Sequence, residues 1–451
     1  MSPIRGLWLR LQASLWFVPT LVVAGCMALA VLLVESHGWV EADLAARWPR
    51  LFGAGTDGAR SMLSAIATSM ITVAGVVFSV TIVALSLASS QYSPRVLRNF
   101  MSDRPTQLVL GMFVGIFAYC LVVLRTVRSD DDGPGFLPSL AVMGGVVLAL
   151  FGVAMLIYFI HHVATSIQVS SILQRIARDT GEAIDRLFPE ALGRGLPADE
   201  SCLDELPTRW HDVPAPATGY LVGVDDDGLL TLASRLGRVV QLAHCIGDFV
   251  IEGQPLVRVS GGYPLDGPEA RALCGLFAVQ PQRTVHQDAA YGLQQIVDVA
   301  LKALSPGIND PATALMCIDH LGALLLRLGG RRIPSPCRSD GGGLRVVARG
   351  PGFEDLAALA LDPIAEHARG ETAVLGKLLH TLSMLGAGLR DPRQLHALRR
   401  RLALLCEAIA HGVDTPARRE PLLERARMLG LRLQEREADA KAHGPIPERE
   451  T

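Results

Sequence analysis

Long uncharged stretches dominate the first third of the sequence. Four of them contain no acidic residue, basic residue or histidine: 11–34, 61–94, 105–124 and 133–160. The shortest has 20 residues, and a helix of about 20 residues crosses a bilayer core of about 30 Å while satisfying its own backbone hydrogen bonds. The pattern predicts a transmembrane domain over residues 1–160. Its four helices are expected at about 14–35, 61–92, 105–125 and 136–160.

The second stretch differs from the other three in its hydroxyl content. Residues 61–93 hold eleven Ser or Thr, many of them three, four or seven positions apart. Those spacings place small and polar side chains in one continuous stripe along a helix. Two interpretations remain open: a seam for close helix packing or the lining of a water-filled pore in an oligomer. The pore-lining hypothesis assigns that role to Thr68, Thr72, Ser79 and Ser86.

The same stretch is longer than a bilayer requires. Its 34 uncharged residues would extend about 51 Å as a helix, well beyond the hydrocarbon core. We therefore expect its end to project toward Arg95 and Arg98, which in an oligomer would form a cationic ring at the cytoplasmic mouth of a pore. Ordinary anchoring of the arginines at the membrane interface is the alternative.

Charge and cysteine usage suggest where the chain resides. Seven arginines lie close to the predicted spans on the side of the two termini and five on the other side, which favours cytoplasmic termini in a bacterial inner membrane. The eight cysteines are scattered without a Cys-x-x-Cys pair. That scatter predicts reduced single thiols rather than a disulfide framework or a zinc site.

Several function classes are disfavoured by what the sequence lacks. The interiors of the predicted spans contain no charged residue, since Glu35 and Arg125 stand at span ends, whereas ion-coupled pumps normally need one. The formal net charge is −2, which gives no reason to expect a nucleic-acid partner. No phosphate-binding loop, metal cluster or activated nucleophile stands out. We expect no catalytic residue, metal or cofactor, and a protein that is not an enzyme.

The second half of the chain is expected to be an α+β region in the cytoplasm. An amphipathic coupling helix extends the fourth span over 161–188, and a linker rich in Pro, Asp and Glu follows at 189–216. Short alternating strands predict a small β-barrel over 217–262. A helical domain over 283–433, interrupted by one strand, and a disordered tail over 434–451 complete the chain.

The predicted barrel carries a local resemblance of its own. The run from Gly247 to Leu256 resembles the hairpin of biotinyl and lipoyl domains, which modify a lysine on a turn. The chain has only three lysines, Lys302, Lys377 and Lys441. None lies near this run, so we expect no covalent cofactor and a structural role.

A compact motif stands between two predicted helices. In the run from Ser305 to Pro311, Pro306-Gly307 ends one helix, Asp310 is expected to cap the next, and Pro311 takes its first position, where a missing N–H costs nothing. The alternative is a polar site. It would combine the motif with His286, Asp288, Asp319 and His320.

Several separated motifs resemble one known family: Phe78–Thr81, Ser89–Arg95, Gln287-Asp288, Leu304–Pro311 and Phe353–Leu356. Together they are similar to a family of predicted bacterial membrane proteins catalogued as domain of unknown function 2254. The resemblance covers about residues 5–430. It implies an inner-membrane protein with four amino-terminal spans, and it brings no established activity or catalytic residue.

Two functions fit these observations. The first is a homo-oligomeric ion channel with an uncharged polar pore lined by the second helix. The second is a membrane-anchored sensor or scaffold whose cytoplasmic part binds a ligand or a protein partner. In both, the lipid bilayer is the expected environment, and the channel requires other copies of the chain because four helices alone seldom enclose an aqueous pore.

Overall fold

The structure is a computed structural model of the 451-residue chain. The chain divides into two compact units, Met1–Ser171 and Ile172–Thr451. The structure describes residues 16–36, 55–91, 104–128, 136–166, 168–188, 206–331, 336–341, 343–348, 350–368 and 370–443.

Four helices form the described part of the first unit. α1 covers Phe17–Glu35, α2 covers Thr56–Gln91, α3 covers Arg104–Thr126 and α4 covers Ser139–Ser166. α3 lies at the centre and contacts the other three helices. Its buried side chains, which include Phe113, Ile116 and Tyr119, form the middle of the core of this unit.

Two glycines allow α3 to approach α1 very closely. A Cβ added at Gly111 would lie 2.8 Å from the Pro19 Cα, and one added at Gly115 would lie 2.8 Å from the Cys26 Sγ. The two glycines are four residues apart and therefore lie on one face of the helix. This spacing is the small-xxx-small arrangement that brings helix backbones together in membranes.

Polar contacts reinforce the packing around α3. The Tyr119 hydroxyl donates to the Ala141 carbonyl at 2.7 Å, which joins α3 to α4. Arg60, near the start of α2, donates to the Val127 carbonyl at 3.1 Å, just beyond the end of α3. The Val127 carbonyl follows the last turn of α3, where carbonyls lack partners within their own helix. The bond to Ala141, in the first turn of α4, is a link between two helices.

The coupling helix predicted over 161–188 is not a continuation of the fourth helix. α4 ends at Ser166 and a separate helix, α5, covers Val169–Leu187. The apolar face of α5 is buried, with Leu173, Ile176 and Ile184 almost inaccessible, and nearly all of α5 belongs to the second unit. The apolar face of α5 thus serves the core of a different unit from that of α4, which is why the single predicted helix is divided.

The number of candidate spans also differs from the prediction. Within the described residues, five helices rather than four are long and apolar enough to cross a membrane. The first four are α1 to α4, and the fifth is α9, Pro311–Gly329, in the second unit. The mean hydropathy over 18 residues of α9 is 1.4, against 2.4 to 2.6 for the other four helices. The uncharged runs within α9 are shorter than the four long uncharged stretches, and its apolar residues have the periodicity of a buried soluble helix. The pattern of long uncharged stretches therefore did not identify it.

The strands of the second unit form two sheets rather than the predicted barrel over 217–262. The five-stranded sheet has the order β1-β5-β3-β8-β7 and the three-stranded sheet the order β4-β2-β6. β3 pairs in parallel with β8, about 100 residues later in the chain, and β2 pairs with β6, which lies beyond residue 262. Strands from outside the predicted segment complete both sheets, so the segment does not close on itself. The strands are β1 Trp210–Pro214, β2 Gly219–Val224, β3 Val240–Leu242, β4 Phe249–Val250, β5 Pro255–Ser260, β6 Phe277–Gln280, β7 Cys337–Ser339 and β8 Leu344–Val347.

The predicted linker over 189–216 is partly ordered sheet. β1 lies inside it and pairs antiparallel with β5 from Trp210 to Pro214. Residues 189–205 lie outside the described residues. Val213 is buried in the core beneath the sheet, so a short apolar contact outweighs the polar composition that suggested a linker.

Helices make up most of the rest of the second unit. Two of them, α6 and α7, contribute buried side chains to the same core as the strands. α6, Asp226–Leu236, ends at Gly237 with a φ of +62°, a left-handed conformation that suits glycine. The other helices are α7 Gly267–Cys274, α8 Ala289–Ala303, α9 Pro311–Gly329, α10 Phe353–His367, α11 Thr372–Gly388, α12 Pro392–Gly412 and α13 Pro416–His443. The region predicted as helical over 283–433 thus also contributes β7 and β8 to the five-stranded sheet.

The tail predicted to be disordered from residue 434 is helical as far as His443. Glu437 on α13 is buried and accepts hydrogen bonds from Arg399 at 2.9 Å and from Lys441 at 2.6 Å. The hydrogen bonds from Lys441 and Arg399 lower the pKa of Glu437 to about 2. The charged composition that suggested disorder therefore supplies ion pairs that fix the helix.

Candidate pore-lining face

The four residues of the pore-lining hypothesis lie on one exposed face of α2. Thr68, Thr72, Ser79 and Ser86 are all exposed in the structure. Successive members are four or seven residues apart, so they share a face over about five helical turns. Gly75 lies on the same face, and a Cβ added there would meet nothing within 4 Å. We call this set the hydroxyl face of α2.

The opposite face of α2 carries the packing of the helix. Leu63, Ala67, Met70, Ala74 and Val77 are buried, and α2 contacts α3 and α4. Met70 also lies beside the helix α4, since a Cβ added at Gly152 would be 3.2 Å from its sulfur. The hydroxyl face is therefore turned away from α3 and α4, the described helices on which α2 packs.

Two hydroxyl groups on α2 donate hydrogen bonds to carbonyls of their own helix. Thr72 Oγ1 donates to the Thr68 carbonyl at 2.8 Å, and Thr81 Oγ1 donates to the Val77 carbonyl at 2.7 Å. A hydroxyl that donates in this way keeps lone pairs that can accept from water or from another chain. Such a face can border lipid at little cost, pack against a second helix or line water.

The predicted cationic ring at the mouth of the pore falls outside the described residues. Arg95 and Arg98 lie outside the described residues, which end at Gln91 on this side of α2. The ring of arginines therefore stays a prediction.

The motif from Ser305 to Pro311 is a helix cap in the structure. Asp310 precedes α9 and accepts from the Thr313 backbone N–H at 3.1 Å and from the Thr313 hydroxyl at 2.6 Å. Pro311 is the first helical residue. The Asp310 N–H donates to the Ala303 carbonyl at 2.8 Å, and Asn309 has a φ of +49°, so the turn is tight.

Three of the four other residues of the alternative polar site, all except His320, have separate structural partners. Asp288 caps α8 through the Tyr291 N–H at 2.9 Å and forms an ion pair with Arg283 at 2.7 Å. Asp319 pairs with Lys377 at 2.5 Å. His286 lies against Arg186, which donates to the His286 carbonyl at 2.8 Å. The cap and the two ion pairs give Asp288 and Asp319 structural roles.

Two of these groups have altered titration for clear physical reasons. Burial raises the pKa of Asp288, and the charge of Arg283 opposes that change. Burial and the nearby charge of Arg186 both lower the pKa of His286. In the part of the chain that the structure describes, no group of three or more His, Cys, Asp or Glu could hold a metal ion.

The comparison with protein families settles the relationship. The model of the family described as predicted membrane protein, domain of unknown function 2254, matches residues 12–384. The chain belongs to this family. The DUF2254 match is shorter than the 5–430 suggested by the motifs, because it ends within α11 and leaves out α12 and α13.

Relatives of this DUF2254 chain occur in mycobacteria. An uncharacterized protein of Mycobacterium bovis and one of Mycobacterium tuberculosis are each 35% identical over 412 residues, covering 88% of this chain and 76% of the relative. No solved structure gives a significant match. The chain is thus a predicted membrane protein with bacterial relatives, in a family whose function is unknown.

Two features of the structure were missed from the sequence. Gly111 and Gly115 are four residues apart inside the third uncharged stretch, a spacing that could have identified the α1–α3 seam. Gln287 was noticed only as part of a family motif. Its side-chain amide accepts from the Val224 N–H at 2.9 Å and donates to the Val224 carbonyl at 3.4 Å, which ties the start of α8 to the end of β2.

Proposed function

We propose that several copies of this protein associate in the bacterial inner membrane through α2 and enclose an uncharged polar pore for ions. The observation that carries the proposal is the exposed hydroxyl face, opposite to the buried face that packs on α3 and α4. A polar stripe on the outside of a membrane unit gains most from contact with water or with another copy. An axis shared by several copies offers both.

In this proposal α1 to α4 cross the membrane and α9 does not. α9 carries Asp319 in an ion pair with Lys377, and Arg327 near its end in an ion pair with Asp185. Charged side chains inside a bilayer are costly, whereas a helix in the core of a water-soluble unit accommodates them at its edges. With four spans and the arginine bias, both termini are cytoplasmic.

The pore works by holding water against hydroxyls. Side chains with hydroxyl groups keep a narrow passage wet, and a bulky apolar side chain at the constriction removes the water and blocks conduction. Ser79 lies near the middle of the second uncharged stretch and is exposed. It is therefore the position at which one added apolar side chain should act most strongly.

The test is ion flux through purified protein in liposomes, measured beside its oligomeric size. We expect flux from the wild type and loss of at least about 90% of it in Ser79→Leu, with assembly retained. Val80→Leu is the matched control, because Val80 is exposed one residue further along α2 and on a different face. Equal flux from Ser79→Leu and Val80→Leu would contradict the pore, and so would a wild-type oligomer that never conducts.

A membrane-anchored sensor or scaffold is the second candidate, and the docking of α5 favours it. Asp185 on α5 forms ion pairs with Arg327 and with Arg331, the latter at 2.8 Å. The Thr180 side chain fills the space beside Gly292 of α8, which leaves no room for a side chain there. The helix that follows α4 is thus held firmly by the second unit, as transmission of a signal requires. A silent wild-type oligomer would favour this function.

A further inference from the structure

A short 3-10 turn, Val285–Gln287, lies just before α8 and is fixed on both sides. Gln287 ties it to β2 through two hydrogen bonds with the Val224 backbone. At the next position, Asp288 is buried and caps α8. His286, the middle residue of the turn, is exposed to solvent. It is therefore held in a constant place while its ring stays accessible to protons.

Arg186, in the last turn of α5, contacts this turn at His286. Nη1 of Arg186 lies 2.6 Å from the His286 Nδ1 and donates to the His286 carbonyl at 2.8 Å. A guanidinium group has N–H donors but no acceptor, and it stays charged at physiological pH. The ring nitrogen that faces it must therefore be the unprotonated acceptor. The contact as observed requires a neutral His286.

Protonation of His286 would break this contact. The ring would lose the lone pair that accepts from Arg186, and two positive charges would lie within hydrogen-bond distance. Burial and the charge of Arg186 lower the pKa of His286 from its ordinary value of about 6.5. A folded-state pKa below the unfolded value means that the unfolded chain binds the proton more tightly. The contact is thus stabilising at neutral pH, and this stabilisation is lost as the pH falls below about 6.5.

Arg186 is the charge that acts on the His286 ring. The elements around the turn carry further ionisable groups: Asp185, paired with Arg327 and Arg331; Asp288, paired with Arg283; Tyr291, which lies under Arg283; Tyr220, which packs on Phe249; Asp225, which caps α6; and Glu182, exposed one turn before Arg186. Burial raises the pKa of Asp288. Variants at His286 are therefore needed to separate its titration from that of Asp288.

We propose that His286 is a pH-dependent latch on α5: the neutral imidazole holds Arg186, and the imidazolium releases it and loosens the last turn of α5. The ion pairs of Asp185 with Arg327 and Arg331 keep the helix attached, so the response is local. α5 begins three residues after the end of α4, so the latch regulates the segment that follows the last proposed span. It stands whether or not the chain forms a pore.

Hydrogen exchange measured by mass spectrometry on the full-length protein in detergent tests the latch. Protection at the end of α5 is compared at about pH 7.5 and about pH 5, on either side of histidine titration and corrected for intrinsic exchange. We expect protection in the last turn of α5 to fall about two- to fivefold at the lower pH, as for the loss of one surface contact. α13, whose buried Glu437 has a pKa of about 2, should keep its protection.

Variants separate the latch from general sensitivity to acid. His286→Asn keeps an acceptor oxygen near the position of Nδ1 but takes up no proton, so its α5 should be equally protected at both pH values. His286→Lys carries a permanent charge against Arg186 and should show low protection at both. His380→Asn, at an exposed histidine on α11, is the matched control and should respond as the wild type does.

Arg186→Gln gives an independent check, because it removes the opposing charge and should make exchange in α5 insensitive to pH. An equal loss of protection in the wild type and in His286→Asn would overturn the proposal. So would a wild type whose α5 is equally protected at both pH values, or a pH response that persists in Arg186→Gln. A loss shared by α5 and α13 would indicate general unfolding in acid and would also overturn it.

Discussion

Two faces of small residues in the first unit have opposite surroundings. On α3, Gly111 and Gly115 lie directly against α1, with no space for a side chain. On α2, the hydroxyl face, which includes Gly75, is exposed, and a Cβ at Gly75 would meet nothing. The same residue class thus serves close packing in one helix and is exposed in the other. The difference teaches that composition identifies a small-residue face, whereas burial decides what it contacts.

The largest expected effect comes from filling the packed face. Gly115→Leu places a side chain where the Cys26 sulfur lies 2.8 Å from the added Cβ, so α1 and α3 must separate. We expect a loss of stability of about 3 kcal/mol or more, seen as a lower Tm or as loss of folded protein in detergent.

Gly25→Leu is the control for this change. Gly25 lies on α1 next to Cys26, yet a Cβ added there meets nothing within 4 Å. This variant should keep the wild-type Tm to within a few degrees. If both variants melted alike, close packing of α1 on α3 would not be what stabilises the first unit.

A smaller effect is expected from a substitution in the second unit. Such a substitution should alter neither the packed glycine face of α3 nor the hydroxyl face of α2. Asp310→Ala removes the cap of α9, whose carboxylate accepts two hydrogen bonds from Thr313. The loss should be about 0.5–2 kcal/mol, measured by thermal or chemical unfolding. Asp310→Asn should recover most of it, because an amide oxygen can still accept at the cap.

Oligomeric size should not change in Asp310→Ala if the hydroxyl face of α2 alone governs association. A variant that kept its stability but lost binding of a ligand would restore the polar-site interpretation of this loop.

Local patterns predicted the elements whose signal is contained in a short segment. The first four helices follow from length and hydropathy, and the cap at Asp310 follows from the order Asp-Pro at a helix start. The exposure of the hydroxyl face could not be predicted, because periodicity places residues on a face without saying what lies opposite.

The errors arose where distant segments meet. β3 pairs with β8, which no pattern within 217–262 could indicate, and Glu437 is buried by a pair of basic residues, one of which is 38 positions away. Cys337 is disulfide-bonded, so the prediction of reduced single thiols is wrong for this residue, because cysteines far apart in the sequence can meet in the fold. Such contacts depend on the tertiary fold, whereas composition reports only local preference.

The central claim is that the hydroxyl face of α2 meets another copy of this chain, and cross-linking tests it most directly. Cysteine is introduced at Ser79 or at Val153, an exposed position on α4, and the protein is oxidised in native membranes. The account predicts strong intermolecular cross-linking for Ser79→Cys and little for Val153→Cys. No cross-link at position 79, or equal cross-linking at both positions, would contradict it.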